Sequence, residues 1–446
     1  MKKLLLSFLP ALLLAVCVWA QNPAPSQTVI STVPVSKTEE SSDDVRHQTF
    51  DIVWRTVKDK HFDPTLGGVD WDKVRQQYLP RVDQIKTDAE LYRLLQQMLG
   101  ELHQSHFNII PPEAIISDDA VEPPTGGIGA DVRMIDGQAV VTVVEPGAMA
   151  EQAGLRAGFV INQVGDKTVE SLIESLTKAS LSEKMQALYA TRRILREING
   201  EAGTTVKITY QDGKGKTHST TITRSKLKGE LSQRLGNFPP QYTEFESKRI
   251  ARNIGYIRFN IFTTPISEKV RVALRELHDA DGMIFDLRGN PGGVAGIATG
   301  IANRLSDKSG ILGTMKMRKS EVKFAIFPQT DPYMGPVAIL IDGLSASTSE
   351  VFSAGMQELG RALIIGERSA GACLPSVMQK LPTGALFQFA IADFRTPKGI
   401  LIEGRGVIPD EEVKWNRASL LAGHDAQLET AIERLTQLRQ RGRAVK

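Results

Sequence analysis

Ser347 stands in a turn of small residues, SASTS, between an apolar run from Val337 to Ile341 and an amphipathic stretch that closes at Gly360. The pattern reads as a buried strand, a tight turn and a helix. It places a serine hydroxyl at the carboxyl edge of a parallel sheet, where backbone amides and the positive helix end support developing negative charge. That is a place for a nucleophile, although Ser345, Ser347 and Ser349 taken alone are also residues that start a helix. A serine hydroxyl needs a base, and seven histidines make the choice narrow. His106 lies in LHQSHFNII, where a polar turn leads from an amphipathic helix into an apolar strand, and His103 competes from nearer the helix body. The loop GNPGG, residues 289–293, follows the strand pattern GMIFDLR and precedes a helix, so its amides can face a tetrahedral oxyanion. Gly292 or Gly293, with the amide of Thr348, is the expected donor set. The lysine and hydroxyl that follow a phosphate-binding Walker loop are missing. Asp286 and Arg288 read as a structural pair supporting this loop. Cys373 is followed by Leu374 and Pro375 with no helix start, which suits a packed thiol better than a nucleophile.

The elements that must carry these residues follow from the apolar pattern. From Ile254 onward apolar strands alternate with helical stretches, including one from Val294 to Leu305, which indicates a mainly parallel α/β core. Residues 45–100 show helical spacing, as in Phe50, Val53, Trp54 and Val57. Between about 123 and 230 the pattern changes to short alternating strands with glycine turns, interrupted by one long helical piece. Residues 21–44 are rich in Ser, Thr and Pro and read as a flexible linker.

The amino terminus, MKKLLLSFLPALLLAVCVWAQ, reads as a secretory signal cut after Ala20, which implies a periplasmic or secreted protein. A lipid anchor at Cys17 is the rival, but Val16 stands where a smaller residue is expected. No later run is long and apolar enough to span a bilayer. Cleavage lowers the formal charge from +3 to about +1, and nothing in that balance suggests nucleic acid. It also leaves Cys373 without a partner for an intramolecular disulfide.

Residues 123–230 resemble a PDZ domain of the bacterial protease type, with AGLRAGFVINQVGDKTV the specific part of the match. A PDZ domain adds a peptide as an extra strand and holds its carboxylate on backbone amides, and the resemblance puts Gly127, Ile128 and Gly129 in that role. The segments FDPTLGGVDW, LHQSH, GYIRFNIF, FDLRGNPGG, SASTSEVFSAGMQELGRALIIGERSAG and IEGRGVIPD resemble the carboxyl-terminal processing peptidases and, more closely, the tricorn core branch of that serine protease superfamily. In the processing branch a lysine in an FGKG segment serves the nucleophile. Here that segment reads AGAC, with Ala372 at the lysine position, and Lys380 or Lys398 would have to reach in from another loop. The tricorn-like branch uses a histidine preceded by serine together with a late glutamate, which fall on Ser105, His106 and Glu403.

The resemblance thus implies an α/β protein with a crotonase-like peptidase core, a helical amino-terminal segment and an inserted PDZ domain. The expected boundaries are 1–20 signal peptide, 21–44 linker, 45–120 helical segment with the base, 121–230 PDZ domain and 231–440 peptidase core. The expected activity is that of an exported serine endopeptidase acting on peptides or unfolded proteins, with no metal or organic cofactor implied and homo-oligomerisation left open. The alternative is a PDZ-containing peptide-binding scaffold whose peptidase core is inactive, since fold resemblance alone does not exclude it.

Overall fold

The computed structural model describes residues 41–112, 124–177, 183–233 and 240–444. The expected signal peptide and residues 21–40 of the expected linker lie outside them, and the linker's last two residues, Asp43 and Asp44, already belong to the first helix, Asp43–Lys60. Two more helices follow, Trp71–Val82 and Asp88–Gly100. Each starts on a side chain that accepts from the first turn: Ser42, Asp70, and Thr87, which forms a reciprocal capping box with Glu90. The indole N–H groups of Trp54 and Trp71 each donate to the other residue's carbonyl, at 2.9 and 3.0 Å.

The apolar faces of these helices, with Phe50, Leu91, Leu95 and Met98 fully buried, close on a hairpin from the far end of the chain. That hairpin is Ser376–Lys380 and Leu386–Ala390, and it contributes Leu381, Phe387 and Phe389 to the helical core. Strand Asn108–Ile110 adds antiparallel to it, with Asn108 opposite Gln388. The segment carrying His106 is therefore fixed to the carboxyl-terminal half of the molecule by both packing and a β-ladder.

Residues 130–223 contain a separate apolar core beneath strands Ala130–Ile135, Gln138–Val144, Val160–Val164, Thr205–Gln211 and Thr217–Thr223. The single long helical piece expected there is two helices, Val169–Thr177 and Glu183–Ile198. Arg133 joins this region to the rest: its buried guanidinium donates to Asp342 Oδ2 at 2.7 Å and to Asp131 Oδ1 at 2.9 Å.

The main sheet has six strands in the order Phe245–Ile250, Ile254–Phe259, Gly282–Asp286, Val337–Ile341, Leu363–Gly366 and Glu411–Glu412. Only the first pairing is antiparallel. Alternation divides its two faces. Ile257, Phe285 and Ile339 meet residues from Thr264–Glu276, Ala295–Ala302 and Thr348–Glu358, whereas Ile284, Ala338 and Leu340 meet Ala431 and Leu435 of Ala426–Ala444. The helix expected over 294–305 is shorter, Ala295–Ala302. A three-stranded sheet of Gly310–Met317, Glu321–Ile326 and Ala392–Arg395 covers one edge of this core.

Asp286 and Arg288 have the structural role read from the sequence. Arg288 grips Asp286 through two nitrogens, at 2.9 and 2.6 Å, and also reaches Asp425 and Gln427. Although burial opposes ionisation, the cation holds the Asp286 carboxyl well below the usual carboxylate range. A depressed folded pKa contributes stability that is complete above the unfolded value of about 3.9 and is lost as pH falls toward the folded one. Arg288→Ala leaves Asp286 buried with the Tyr256 hydroxyl, the amide of residue 288 and the nearby Arg258 cation. It is expected to cost about 3–5 kcal/mol in urea unfolding at pH 7; a loss below about 1 kcal/mol would show that the pair does not support the loop.

Candidate active site

Ser347 is the residue before helix Thr348–Glu358, at φ 52° and ψ −116°. A non-glycine residue at this positive φ stores strain of about 1–3 kcal/mol, which surrounding contacts must hold. They do so from three sides. Ser347 N–H donates to Ala372 O at 3.0 Å and Glu350 N–H to Ser347 O at 2.8 Å. Ser345 Oγ accepts from Asp342 N and donates to Leu287 O, and Ser349 Oγ donates to Asn290 O. The outer two serines staple the turn to the 287–293 loop, and the middle one lines the cavity.

His106 has φ 61° and lines the same cavity as Ser347, a cleft of ≈ 480 Å³ that also includes Gly293, Thr348, Val351, Cys373 and Phe394. Its Nδ1 lies 2.6 Å from Ser105 Oγ. Ser105 Oγ also reaches Glu403 Oε2 at 3.0 Å, and Ser105 N–H reaches Glu403 Oε1 at 2.7 Å. A serine hydroxyl has one hydrogen, and an ionised carboxylate only accepts. With that carboxylate ionised the hydroxyl donates to Glu403 and accepts from His106 Nδ1–H, so His106 Nε2 is the bare nitrogen. Burial and the Arg192 cation lower the imidazole to about 4, which keeps the ring neutral at pH 7. Burial raises the Glu403 carboxyl, and the Ser105 and Cys373 donors oppose that shift.

Gly292 and Gly293 have φ 103° and 128°. A Cβ on Gly292 would meet Ala346 O, Ser347 Cβ and Thr348 N, each at 2.8 Å, so the loop lies directly against the nucleophile turn. The Gly292 amide is already engaged, donating to Asn290 Oδ1 at 2.9 Å. The amides of Gly293 and Thr348 have no acceptor among the described residues and both residues line the cavity, tied together by Thr348 Oγ1 donating to Gly293 O at 2.7 Å.

Residues 253–413 match peptidase family S41, and residues 42–100 match the tricorn protease C1 domain. The carboxyl-terminal-processing protease of Picosynechococcus sp. is 27% identical over 395 residues, covering 86% of this chain and 88% of that protein. Its namesake in Synechocystis sp. is 26% identical over 395 residues, with coverage of 86% and 85%. Among solved structures, the photosystem II D1 C-terminal processing protease superposes with a TM-score of 0.57 at 23% identity, covering 86% of this chain and 98% of that one. Mature CPAF complexed with lactacystin gives 0.62 at 13% identity, with coverage of 90% and 99%. This chain is a serine-type peptidase.

The inactive-scaffold alternative gives way to that finding. In the peptidase, exposed Lys380 and Lys398 are not among the residues lining the cavity, and neither is exposed His103. Cys373 is buried, its thiol is pushed well above its usual range by burial, and its amide donates to Glu403 Oε2 at 2.8 Å. Away from the cavity, Gly127 pairs with Ser225 at a strand edge, Ile128 is buried, and Gly129 turns at φ 73° against Ala148. The sequence reading missed Glu350, a buried carboxylate beneath Ser347. Its signal was the Ser-x-x-Glu spacing of a capping box, in which the glutamate returns to the first amide. Among the described residues no helix is long and apolar enough to cross a membrane.

The contact of Gly292 with the turn makes Gly292→Ala informative. An added methyl collides with backbone atoms of residues 346 and 348, and the shift it forces on Ser347 is expected to reduce peptide hydrolysis by about 100-fold. Steady-state hydrolysis on a variant shown to be folded by circular dichroism checks this; wild-type turnover would contradict the close approach.

Proposed function

We propose that the peptidase is an exported endopeptidase in which Ser347 attacks the peptide carbonyl and His106 is the base. As Ser347 Oγ bonds to the carbonyl carbon, His106 Nε2 takes its proton and the carbonyl oxygen becomes an oxyanion facing the amides of Gly293 and Thr348. The imidazolium keeps its Nδ1–H on Ser105 Oγ, whose own hydrogen lies toward Glu403, so the negative carboxylate stabilises the charge through one hydroxyl. His106 then returns the proton to the leaving amine, and water cleaves the acyl-enzyme by the same steps in reverse. The observation that carries this reading is the Glu403–Ser105–His106 chain, which with Glu403 ionised leaves Nε2 bare on a residue that lines the same cavity as Ser347.

On this reading the six-stranded core is crotonase-like and residues 121–230 are an inserted PDZ domain that recruits a substrate's chain end. The buried Ile128 and the turn at Gly129 support a backbone-lined carboxylate site at 127–129. Export follows from the signal-like amino terminus.

One protein serves to test both halves. Ser347→Ala is expected to abolish hydrolysis of an unfolded protein, as His106→Ala is to cost several orders of magnitude, with both variants folded. Ser347→Ala is then titrated by calorimetry with one apolar-ended peptide as free acid and as amide, and the acid is expected to bind at least tenfold more tightly. Residual wild-type cleavage overturns the nucleophile, and equal affinity overturns the carboxylate site while leaving the nucleophile intact.

A further inference from the structure

Glu350 is fully buried, one helical turn below Ser347, and the hydrogen bonds it accepts among the described residues come from neutral donors. Four donors converge on its two oxygens. Oε1 accepts from Ser369 Oγ at 2.6 Å and Gly371 N at 2.8 Å. Oε2 accepts from Ser347 N at 2.9 Å and Ala372 N at 3.1 Å. Three of the four are backbone amides, and they belong to two separate pieces of chain. One is the nucleophile turn. The other is the 369–373 loop, which hands on the Cys373 amide to Glu403 and so reaches Ser105 and His106.

Ordinary helix capping accounts for the Ser347 amide only. It does not account for the three donors of the second loop, nor for placing a carboxylate where burial pushes its pKa up to about 7 against the pull of its donors. An apolar side chain would fill the volume without that penalty, but would leave the amides of Gly371 and Ala372 without their acceptor and the shared Ser347 N–H on Ala372 O alone.

We propose that Glu350 is a positioning residue of the peptidase, a carboxylate that works with the direct bonds Ser347 N–H to Ala372 O and Ala370 N–H to Ser345 O to fix the nucleophile turn to the 369–373 loop and thereby sets Ser347 against the Glu403–Ser105–His106 chain. This rests on the reading of Ser347 as nucleophile. Glu350 touches no reacting atom. Its effect is on how often Ser347 Oγ and the base are aligned, so its loss acts on the chemical step and not on peptide binding. Glutamine cannot replace it, because each carboxylate oxygen faces at least one backbone N–H, and the amide NH₂ in either orientation sets a donor against a donor.

The test measures kcat, KM and fluorophosphonate labelling rate for wild type, Glu350→Gln, Ser369→Ala and Ser347→Ala, with melting curves for each. Glu350→Gln is expected to lower kcat and the labelling rate by about 100-fold with KM within threefold of wild type. Ser369→Ala removes one of the four donors and introduces no opposing one, and is expected to lower kcat by about fivefold at unchanged KM; it decides the matter alone if Glu350→Gln does not fold. Wild-type kcat in folded Glu350→Gln or in Ser369→Ala, or a loss confined to KM or to melting temperature, overturns the proposal. Hydrolysis surviving in Ser347→Ala would instead overturn the nucleophile reading on which it rests.

Discussion

The site depends on one half-buried carboxylate that joins segments far apart in the chain. Glu403 accepts from the amide and the hydroxyl of Ser105, 298 positions away in sequence, and from the amide of Cys373 beside the nucleophile turn. Neither the histidine segment nor the nucleophile loop is positioned by its own element. Each is a loop residue at positive φ, His106 and Ser347 alike, and such conformations persist only where surrounding contacts over-determine them. For His106 those contacts are Glu403 and the ladder between Asn108–Ile110 and Leu386–Ala390. For Ser347 they are the flanking serines, Asn290 and Glu350.

The inserted region is joined to the same turn from behind. Asp342, at the end of the strand Val337–Ile341, takes the buried Arg133 on one oxygen and the amides of Gly289 and Leu344 on the other. Leu188 of Glu183–Ile198 packs on Leu344, Ala346, Ala370 and Ala372. A displacement of Arg133 or Leu188 would therefore bear on both the 287–293 loop and the turn at Ser347 through an ion pair and an apolar patch. Packed, close-fitting contacts of this kind transmit displacement and do not absorb it.

Much of this was legible in sequence where the signal was local. The abrupt change from an apolar run to SASTS to an amphipathic helix marks Ser347, and the change of period near residue 123 marks the inserted region. The distant pairings were not legible. The spacing between Ser105 and Glu403 carries no information about contact, and resemblance alone associated them. Gly292 and Gly293 differ in the direction of one amide, since Gly292 N–H donates to Asn290 Oδ1, and no local pattern shows that. The hairpin Ser376–Lys380 with Leu386–Ala390 escaped because Val377 and Lys380, which alternate to opposite faces of their strand, are both exposed, which blurs the pattern expected of a half-buried strand. Glu350 was hidden for the opposite reason: its capping-box spacing is common on exposed helices, and only its burial distinguishes it.

The central claim is that one hydroxyl, Ser105 Oγ, fixes which nitrogen of His106 is bare. Nitrogen-15 spectroscopy of histidine-labelled protein at pH 7, with His106 assigned by the signal lost in His106→Gln, reads that directly. The account predicts a proton on Nδ1 and an unprotonated Nε2. A proton on Nε2, or on both nitrogens, would contradict it.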